Sequence, residues 1–475
     1  MPSAMPPAQP SSKTITPSPQ GSAYIDLYQP YQKIYTRQIK GYYQRLRQYL
    51  CVPLLLAYFL LPWLSIDQRP AMLFDLSAQQ FHILWATFTP QDGYLLMLLL
   101  MLAAFALFAS TVVVGRAWCG FTCPQTVWTM IFMWLEEHSE GSRNQRIKLD
   151  QQPWTLSKLA RKTYKHSLWL MLSLATGLSF VGYFYGIKAL LIDLSHFAAT
   201  LEACFWVLLF TVLTYLNAGW LRDQVCKYMC PYARFQSVMY DQDTLLVTYD
   251  QARGENRGPR KAGSNYQAQG LGDCIDCSWC VQVCPVDIDI RNGLQSECID
   301  CGLCIDACDS VMEKMAYDKG LISFSSQRAS TTGIKKLWRP RLAGYLMTFI
   351  ITIALLTHTI VSRVPLSLTI TRDRGPTLYT VVGNNIENRY SLKVHHKGQD
   401  RQTFLISING ELNYRLKGPQ RISIEAGGVY QQAMRIQLPK DELQKTSNRF
   451  TITVRSVQDP TISVQKISTF LGPSK

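Results

Sequence analysis

Five long apolar stretches break an otherwise polar chain, at about residues 49–66, 94–114, 168–187, 201–220 and 341–362. Each approaches the ~20 residues needed to cross ~30 Å of hydrocarbon, so each predicts a membrane-spanning helix. After the fifth, the pattern changes to period two. Leu366–Thr371, Gln402–Ser407, Ile422–Ile424 and Phe450–Val454 alternate apolar and polar positions, as half-buried strands do. Gly383-Asn384-Asn385, Asn409-Gly410 and Gly427-Gly428 supply turns between them. About seven short strands in ~100 residues predict an immunoglobulin-like sandwich over 363–475. Residues 1–30 are rich in Pro, Ser and Gln and offer no core, which reads as a disordered tail without the apolar centre of a signal peptide.

Charge orients these elements. The net charge is +15 and the pI about 9.2, yet 47% of residues are hydrophobic. The basic residues gather beside the apolar runs, which points to a membrane rather than to nucleic acid. Lys33, Arg37, Lys40, Arg45 and Arg47 precede the first span. The loop 115–167 carries Arg116, Arg143, Arg146, Lys148, Lys158, Arg161, Lys162 and Lys165, and the segment 221–341 is again basic. The loop 65–93 has Arg69 against Asp67, Asp75 and Asp92, and only Lys188 and Asp193 follow the third span. Alternation then places the N-terminus on the cytoplasmic side of a bacterial inner membrane and the sandwich in the periplasm.

Eight of the fourteen cysteines fall between Cys274 and Cys308. Cys274, Cys277, Cys280 and Cys284-Pro285 form one run, and Cys298, Cys301, Cys304 and Cys308 a second. This is the spacing of a two-cluster ferredoxin, in which the fourth cysteine of each run crosses to the other cluster. One [4Fe–4S] cluster would then take Cys274, Cys277, Cys280 and Cys308, and the other Cys298, Cys301, Cys304 and Cys284. Structural zinc sites usually draw on separated pairs instead. The segment 241–340 is therefore a ferredoxin-type insertion, and its free thiolates suit a reducing compartment.

Four more cysteines form matched Cys-x3-Cys-Pro pairs. Cys119 and Cys123-Pro124 follow the second span, and Cys226 and Cys230-Pro231 follow the fourth. The repeat reads as a duplicated unit within the membrane domain, 31–240, whose halves could meet. If each pair is helical, its sulfurs share a face; alternatively, each proline opens a new helix. Four soft sulfurs suit copper(I), zinc or another iron–sulfur centre, or two dithiols that cycle to disulfides. His138 reads as a solvated helix end, and Cys51 and Cys204 as packing residues. The basic loop Arg253–Lys261 reads either as a docking surface for an acidic electron donor or as a linker beside anionic lipid.

From about Tyr31 onward the chain resembles the cytochrome c oxidase accessory proteins named CcoG, FixG or RdxA. The resemblance is carried by Gly115-Arg116 through Trp128, Glu140-Gly-Ser-Arg143 through Lys148, Cys226 through Pro231, Arg253-Gly-Glu255 and the paired ferredoxin runs. It implies a part in assembling a cbb-type haem–copper oxidase, by reducing Cu(II) to Cu(I) for its copper centre. It further implies that Cys119, Cys123, Cys226 and Cys230 bind or reduce the copper. The partners so implied are a cytoplasmic electron donor, a copper transporter or chaperone, and oxidase subunits. Two other functions fit the same layout: quinol-linked electron transfer, as in membrane ferredoxins of nitrate and nitrous oxide respiration, and a non-catalytic assembly scaffold.

Overall fold

A computed structural model of the chain describes residues 33–473, apart from 67–68, 85, 335, 337, 363, 374–377, 399, 426 and 444. The N-terminal tail expected to be disordered lies outside the described residues. Five helices are long and apolar enough to cross a membrane, and the protein is a multi-pass membrane protein.

The first span, α1 (Tyr42–Leu60), begins seven residues before the apolar run. Its early start is capped from afar, because the Asp306 carboxylate accepts from the Tyr43 and Gln44 amides at 3.1 and 2.8 Å. These are orphan donors of the first helical turn. Beyond α1 the loop is built where no structure was expected. β1 (Ser65–Ile66) pairs with β2 (Arg69–Pro70), and β3 (Met72–Asp75), β4 (Gln80–Ile83) and β5 (Ala86–Phe88) form a three-stranded sheet. The second span, α2 (Gly93–Val114), is followed by α3 (Ala117–Phe121), α4 (Pro124–Glu140) and α5 (Arg143–Gln151).

The third span, α6 (Leu156–Tyr185), starts twelve residues before the apolar run. Its first turns are polar, but Thr155 caps them by accepting from the Lys158 amide. Lys162 and Lys165 reach Glu140 at 2.9 and 3.0 Å. A short α7 (Ile187–Ser195) leads to α8 (Leu201–Thr214), which continues as π-helical turns to Leu221. α6 and α8 approach closely at Gly177, where an added Cβ would lie 2.7 Å from Thr211 Oγ1 and 2.8 Å from the Val207 carbonyl. Small residues allow such contacts between membrane helices. Cys204 is exposed on α8 rather than packed.

After α9 (Pro231–Val238), the ferredoxin segment is closed by pairing of β6 (Leu246–Tyr249) with β7 (Ile322–Ser325). Between these strands lie α10 (Gln251–Gly254), α11 (Trp279–Gln282) and α12 (Leu303–Met315). A short α13 (Gln327–Thr332) leads to the fifth span, α14 (Pro340–Val361), which packs on α2.

The C-terminal domain is a two-sheet antiparallel sandwich of nine strands among the described residues. One sheet runs β12 (Arg415–Lys417), β14 (Val429–Pro439), β10 (Asn385–His396), β8 (Leu366–Arg372), with β9 (Thr380–Val382) also on β10. The other runs β13 (Arg421–Ile424), β11 (Gln402–Gly410), β15 (Ser447–Ser456), β16 (Ser463–Leu471). Tyr390, Phe404, Phe450 and Phe470 fill the space between the sheets. Asn409-Gly410 ends a strand rather than forming a separate hairpin turn.

The two soluble parts sit at opposite ends of the spans. The ferredoxin segment meets the start of α1 and the end of α2. The sandwich meets the start of α2, where Lys397 Nζ lies 2.7 Å from both Asp92 oxygens in a nearly buried pair.

Candidate metal centres at the membrane face

The cysteines of the ferredoxin segment sort into two groups of four. The sulfurs whose charge acts on Cys308 are Cys280, Cys274 and Cys277. Those acting on Cys298 are Cys301 and Cys284, and Cys304 is surrounded chiefly by Cys301, Cys298 and Cys284. The fourth residue of each run therefore lies with the other run. Cys284, Cys298, Cys301 and Cys304, together with Cys280, line a narrow gap whose other walls are apolar, including Val286, Ile288 and Ile299.

Burial in these walls pushes the Cys280 and Cys284 thiols up to about 12 and drives Cys298 and Cys304 well above their ordinary value. A bare thiolate is thus disfavoured here, and a cationic metal core is what would stabilise it. Soft donors in fours with dry walls fit iron–sulfur clusters.

The Cys-x3-Cys-Pro pairs adopt the second of the two local structures expected. Cys119 lies on α3, whereas Cys123 is the N-cap of α4 with Pro124 in its first turn. Cys226 lies in the π-helical turn Val225–Met229, and Cys230 is the N-cap of α9 with Pro231 in its first turn. Proline at the first helical position has no amide to leave unsatisfied and is preset for the helix.

The halves meet. Cys119 feels the charges of Cys123, Cys226 and Cys230, and Cys226 those of Cys123 and Cys230. Burial pushes Cys119 up to about 12 and Cys226 to about 11, each against the lowering effect of Arg116. Cys119 Sγ also donates to Gln236 Oε1 at 3.4 Å. The Gln236 amide in turn donates to Thr111 Oγ1 and the Gly115 carbonyl at 3.1 and 3.0 Å. Met229 is exposed, and His138 stacks on Trp134.

This quartet abuts the second ferredoxin group. Gly120, next to Cys119, lies so close to the loop carrying Cys301 that a Cβ there would stand 2.7 Å from the Ile299 carbonyl and 2.9 Å from the Cys301 Cα. Cys119 packs in one apolar cluster with Cys284, Cys298, Cys301 and Cys304. Asp300 holds the junction from both sides, accepting from the Arg116 amide at 3.0 Å and the Val247 amide at 3.1 Å. Lys227, beside Cys226, donates to the Val286 carbonyl at 3.1 Å.

Sequence reasoning had no view of Gly120, Asp300 or Gln236, because their roles depend on contacts across more than a hundred residues. It also missed a buried ion network behind the quartet. Glu136 and Glu140 are fully buried. Glu136 faces Arg222 at 2.9 Å and Arg146 and Lys33 at 3.4 Å each. Burial alone would raise the Glu136 carboxyl, but Arg222, Lys33, Arg146 and Lys165 outweigh it and hold the group at about 2. In the basic loop Arg253–Lys261, two arginines make internal contacts. Arg253 pairs with Asp273 at 2.5 Å, and Arg260 stacks on Tyr266 and Tyr317 and donates to the Gly272 carbonyl. These arginines staple the segment together.

Three family models match the chain: a 4Fe-4S binding domain over residues 95–137, a 4Fe-4S dicluster domain over 221–327, and an IG-like fold at the C-terminal of FixG over 356–473. The chain is 32% identical to "Nitrogen fixation protein FixG" of Rhizobium meliloti (81% of this chain, 80% of that protein). It is 36% identical to "Protein RdxA" (82% and 85%) and 36% identical to "Protein RdxB" (82% and 84%), both of Cereibacter sphaeroides.

Proposed function

We propose, for a chain that belongs to the FixG/RdxA family, that it carries single electrons from the ferredoxin segment to the cysteine quartet and there reduces Cu(II) to Cu(I) for assembly of a cbb-type cytochrome c oxidase. Iron–sulfur electron transfer in a membrane is the coarse part of this reading. Copper, the oxidase, the donor and the copper chaperone are the fine part.

Iron–sulfur clusters, when bound, supply one-electron chemistry over a wide range of potentials. The residues of this chain do the rest. Cys274, Cys277, Cys280 and Cys308, and Cys298, Cys301, Cys304 and Cys284, hold the clusters. Val286, Ile288 and Ile299 keep water away. The contact of Gly120 with the Ile299–Cys301 backbone is the observation that carries the proposal. It presses the backbone that carries Cys301 against the residue next to Cys119. Thiolates favour copper in its lower oxidation state, so electrons arriving at Cys119, Cys123, Cys226 and Cys230 meet a site suited to Cu(I). The basic loops at the ferredoxin end support a cytoplasmic location for the clusters, with the sandwich in the periplasm.

The test is anaerobic. Protein purified in detergent is reduced, freed of reductant and given Cu(II) with a Cu(I)-specific chelator. Wild type should form the Cu(I) complex as the cluster absorbance recovers. Cys119→Ser/Cys123→Ser and Cys226→Ser/Cys230→Ser should not, with the ferredoxin clusters intact. Reoxidation that ignores Cu(II), or is equal in the variants, would overturn the copper reading.

One observation favours quinol-linked transfer instead. A groove between α6 and α8 runs from Lys162 and His166 along Leu170, Leu208 and Val212, and His166 Nδ1 bonds the Tyr215 hydroxyl at 2.8 Å within it. Cluster reduction by added quinol, lost in His166→Leu, would support that route.

A further inference from the structure

We infer that the two clusters of the ferredoxin segment stand at different potentials, and that the buried arginines Arg116 and Arg47 make the membrane-side centre, at Cys284, Cys298, Cys301 and Cys304, the better electron acceptor. The inference deepens the reading above that electrons leave the ferredoxin segment through the contact at Gly120.

Reduction adds one negative charge to a cluster, so its potential follows the charge and hydrogen bonding around it. A buried cation counts most, because little water screens it. The chain places its buried cations differently at the two groups of cysteines.

At the outer group, Cys274, Cys277, Cys280 and Cys308, the buried cation is answered. Arg291 is 9% exposed. One terminal nitrogen reaches Asp276, which stands between Cys274 and Cys277 in the chain, at 2.5 Å. Its Nε and the other terminal nitrogen donate to the two oxygens of Asp289 at 2.8 and 2.7 Å, a bidentate pair. Asp289 alone neutralises this guanidinium, and the half-exposed Asp276 tips the site negative. Asp309 follows Cys308, and Arg37 and Lys314 stand over the Trp279 ring at 3.8 and 5.0 Å, but none of these three is buried. The neighbouring pairs Arg253–Asp273 and Arg257–Glu255 close on themselves.

At the membrane-side group the buried cations outnumber their anion. Arg116 is 5% exposed and opens α3, three residues before Cys119. Its terminal nitrogens donate to neutral carbonyls, at 2.6 Å to Ser296, at 3.3 Å to Cys298, and to Ala233. Its Nε has no hydrogen-bond partner among the described residues. Arg47 is 1% exposed, and its Nε and one terminal nitrogen likewise have none. It shares one face of α1 with Tyr43 and Cys51, each four residues away. The Tyr43 ring presses on Gly302, next to Cys301, and Cys51 donates to the Phe121 carbonyl at 3.0 Å. Arg47 therefore lies at the seam where α1 crosses the Cys301 loop and α3. Asp300 brings the opposing charge, accepting from the Arg116 and Val247 amides and lying 3.6 Å from Cys298 Sγ. Two buried guanidiniums thus face one carboxylate here, whereas one faces two at the outer group.

Leaving a buried charge uncompensated is strongly destabilising. The fold keeps that excess beside a centre whose negative charge grows on reduction, and there the cations favour the reduced form. The step so biased is the passage of one electron from the outer centre to the membrane-side one. The first is oxidised, the second is reduced, no bond breaks and no proton moves. A one-electron donor on the ferredoxin side restores the outer centre.

The test is an EPR-monitored redox titration of the full-length protein, purified in detergent without copper. Cys277→Ser marks the outer step by altering it, and Cys301→Ser marks the membrane-side step. In wild type the membrane-side step should lie higher, so that a shared electron favours it by about tenfold or more, a gap of about 59 mV. Arg116→Gln and Arg47→Met should each lower that step and leave the outer one in place. Asp289→Asn should raise the outer step and narrow the gap. If Arg116→Gln fails to accumulate, Arg47→Met decides, because an apolar side chain of similar volume in place of an unanswered buried charge is neutral or stabilising. Equal steps, a reversed order, or a membrane-side step unmoved in the arginine variants overturns the inference even where Cu(II) is reduced. Steps ordered and shifted as stated, with Cu(II) left unreduced, keep the inference and remove the copper reading.

Discussion

Gly120→Ala puts one methyl group into the contact on which the proposed electron route depends. The new Cβ would lie 2.7 Å from the Ile299 carbonyl, 2.9 Å from the Cys301 Cα and 3.0 Å from the Asp300 carbonyl. Ordinary contact begins near 3.4 Å, so α3 and the loop must part by 3.4 − 2.7 = 0.7 Å. All three obstacles are backbone, and Asp300 is pinned by two amide hydrogen bonds, so no flexible side chain absorbs the clash. Overpacking of this kind costs about 1–3 kcal/mol. A penalty of about 1.4 kcal/mol on the docked junction lowers its population relative to the parted one tenfold. The assay is stopped-flow reoxidation of the reduced protein by Cu(II) without oxygen. The expected result is a slower rate, by up to about tenfold for that penalty, with iron content unchanged. Gly344→Ala is the control, since nothing lies within 4 Å of a Cβ there. Wild-type transfer in Gly120→Ala with full iron would show that electrons do not cross at this contact.

Four further outcomes follow from the packing. Glu136→Gln removes the anion facing Arg222, Arg146 and Lys33 and should cost about 3–5 kcal/mol, read as a lowered unfolding midpoint in detergent; an unchanged midpoint refutes the network's role. Because the folded Glu136 sits at about 2, below its unfolded value, its contribution is present above about pH 4.5 and is lost as pH falls toward 2; the wild-type acid transition should flatten in Glu136→Gln. Asp306→Ala removes the acceptor for the second and third amides of α1 and should cost about 0.5–2 kcal/mol, seen as faster hydrogen exchange at Tyr43 and Gln44; unchanged exchange there contradicts the cap. Asp92→Asn breaks the nearly buried pair with Lys397 and should speed limited proteolysis between the fifth span and the sandwich, while an unchanged cleavage rate would mean the pair does not hold the domains together.

Legibility in the sequence followed the range of the determining forces. Ferredoxin spacing shows because its cysteines recur three and four positions apart. Span centres show because lipid selects composition over twenty residues. The starts of α1 and α6 do not show. Hydropathy counts Arg45, Arg47, Lys158 and Lys162 as the end of a span, whereas the fold continues the helix by capping it with Asp306 and pairing its lysines with Glu140 and Asp150. The strands β3 to β5 were missed because each is three or four residues long, too short to establish alternation. The two Cys-x3-Cys-Pro pairs were visible as motifs. Their union, and the passage from Cys301 to Gly120, were not, because no local rule encodes which loop a glycine will touch.

Helix α12 also sets an order of events for biogenesis. It carries Cys304 and Cys308, which lie in different cysteine groups, and between them Asp306, the cap of the first span. That span leaves the ribosome 262 residues before its cap does. The first helix to enter the bilayer is thus finished by a segment made only after the fourth span. If iron and sulfide order α12, a chain starved of either carries a loose first span. Such a chain offers a membrane protease a frayed helix end at the surface, and cofactor loading becomes the step that clears the protein for residence in the membrane.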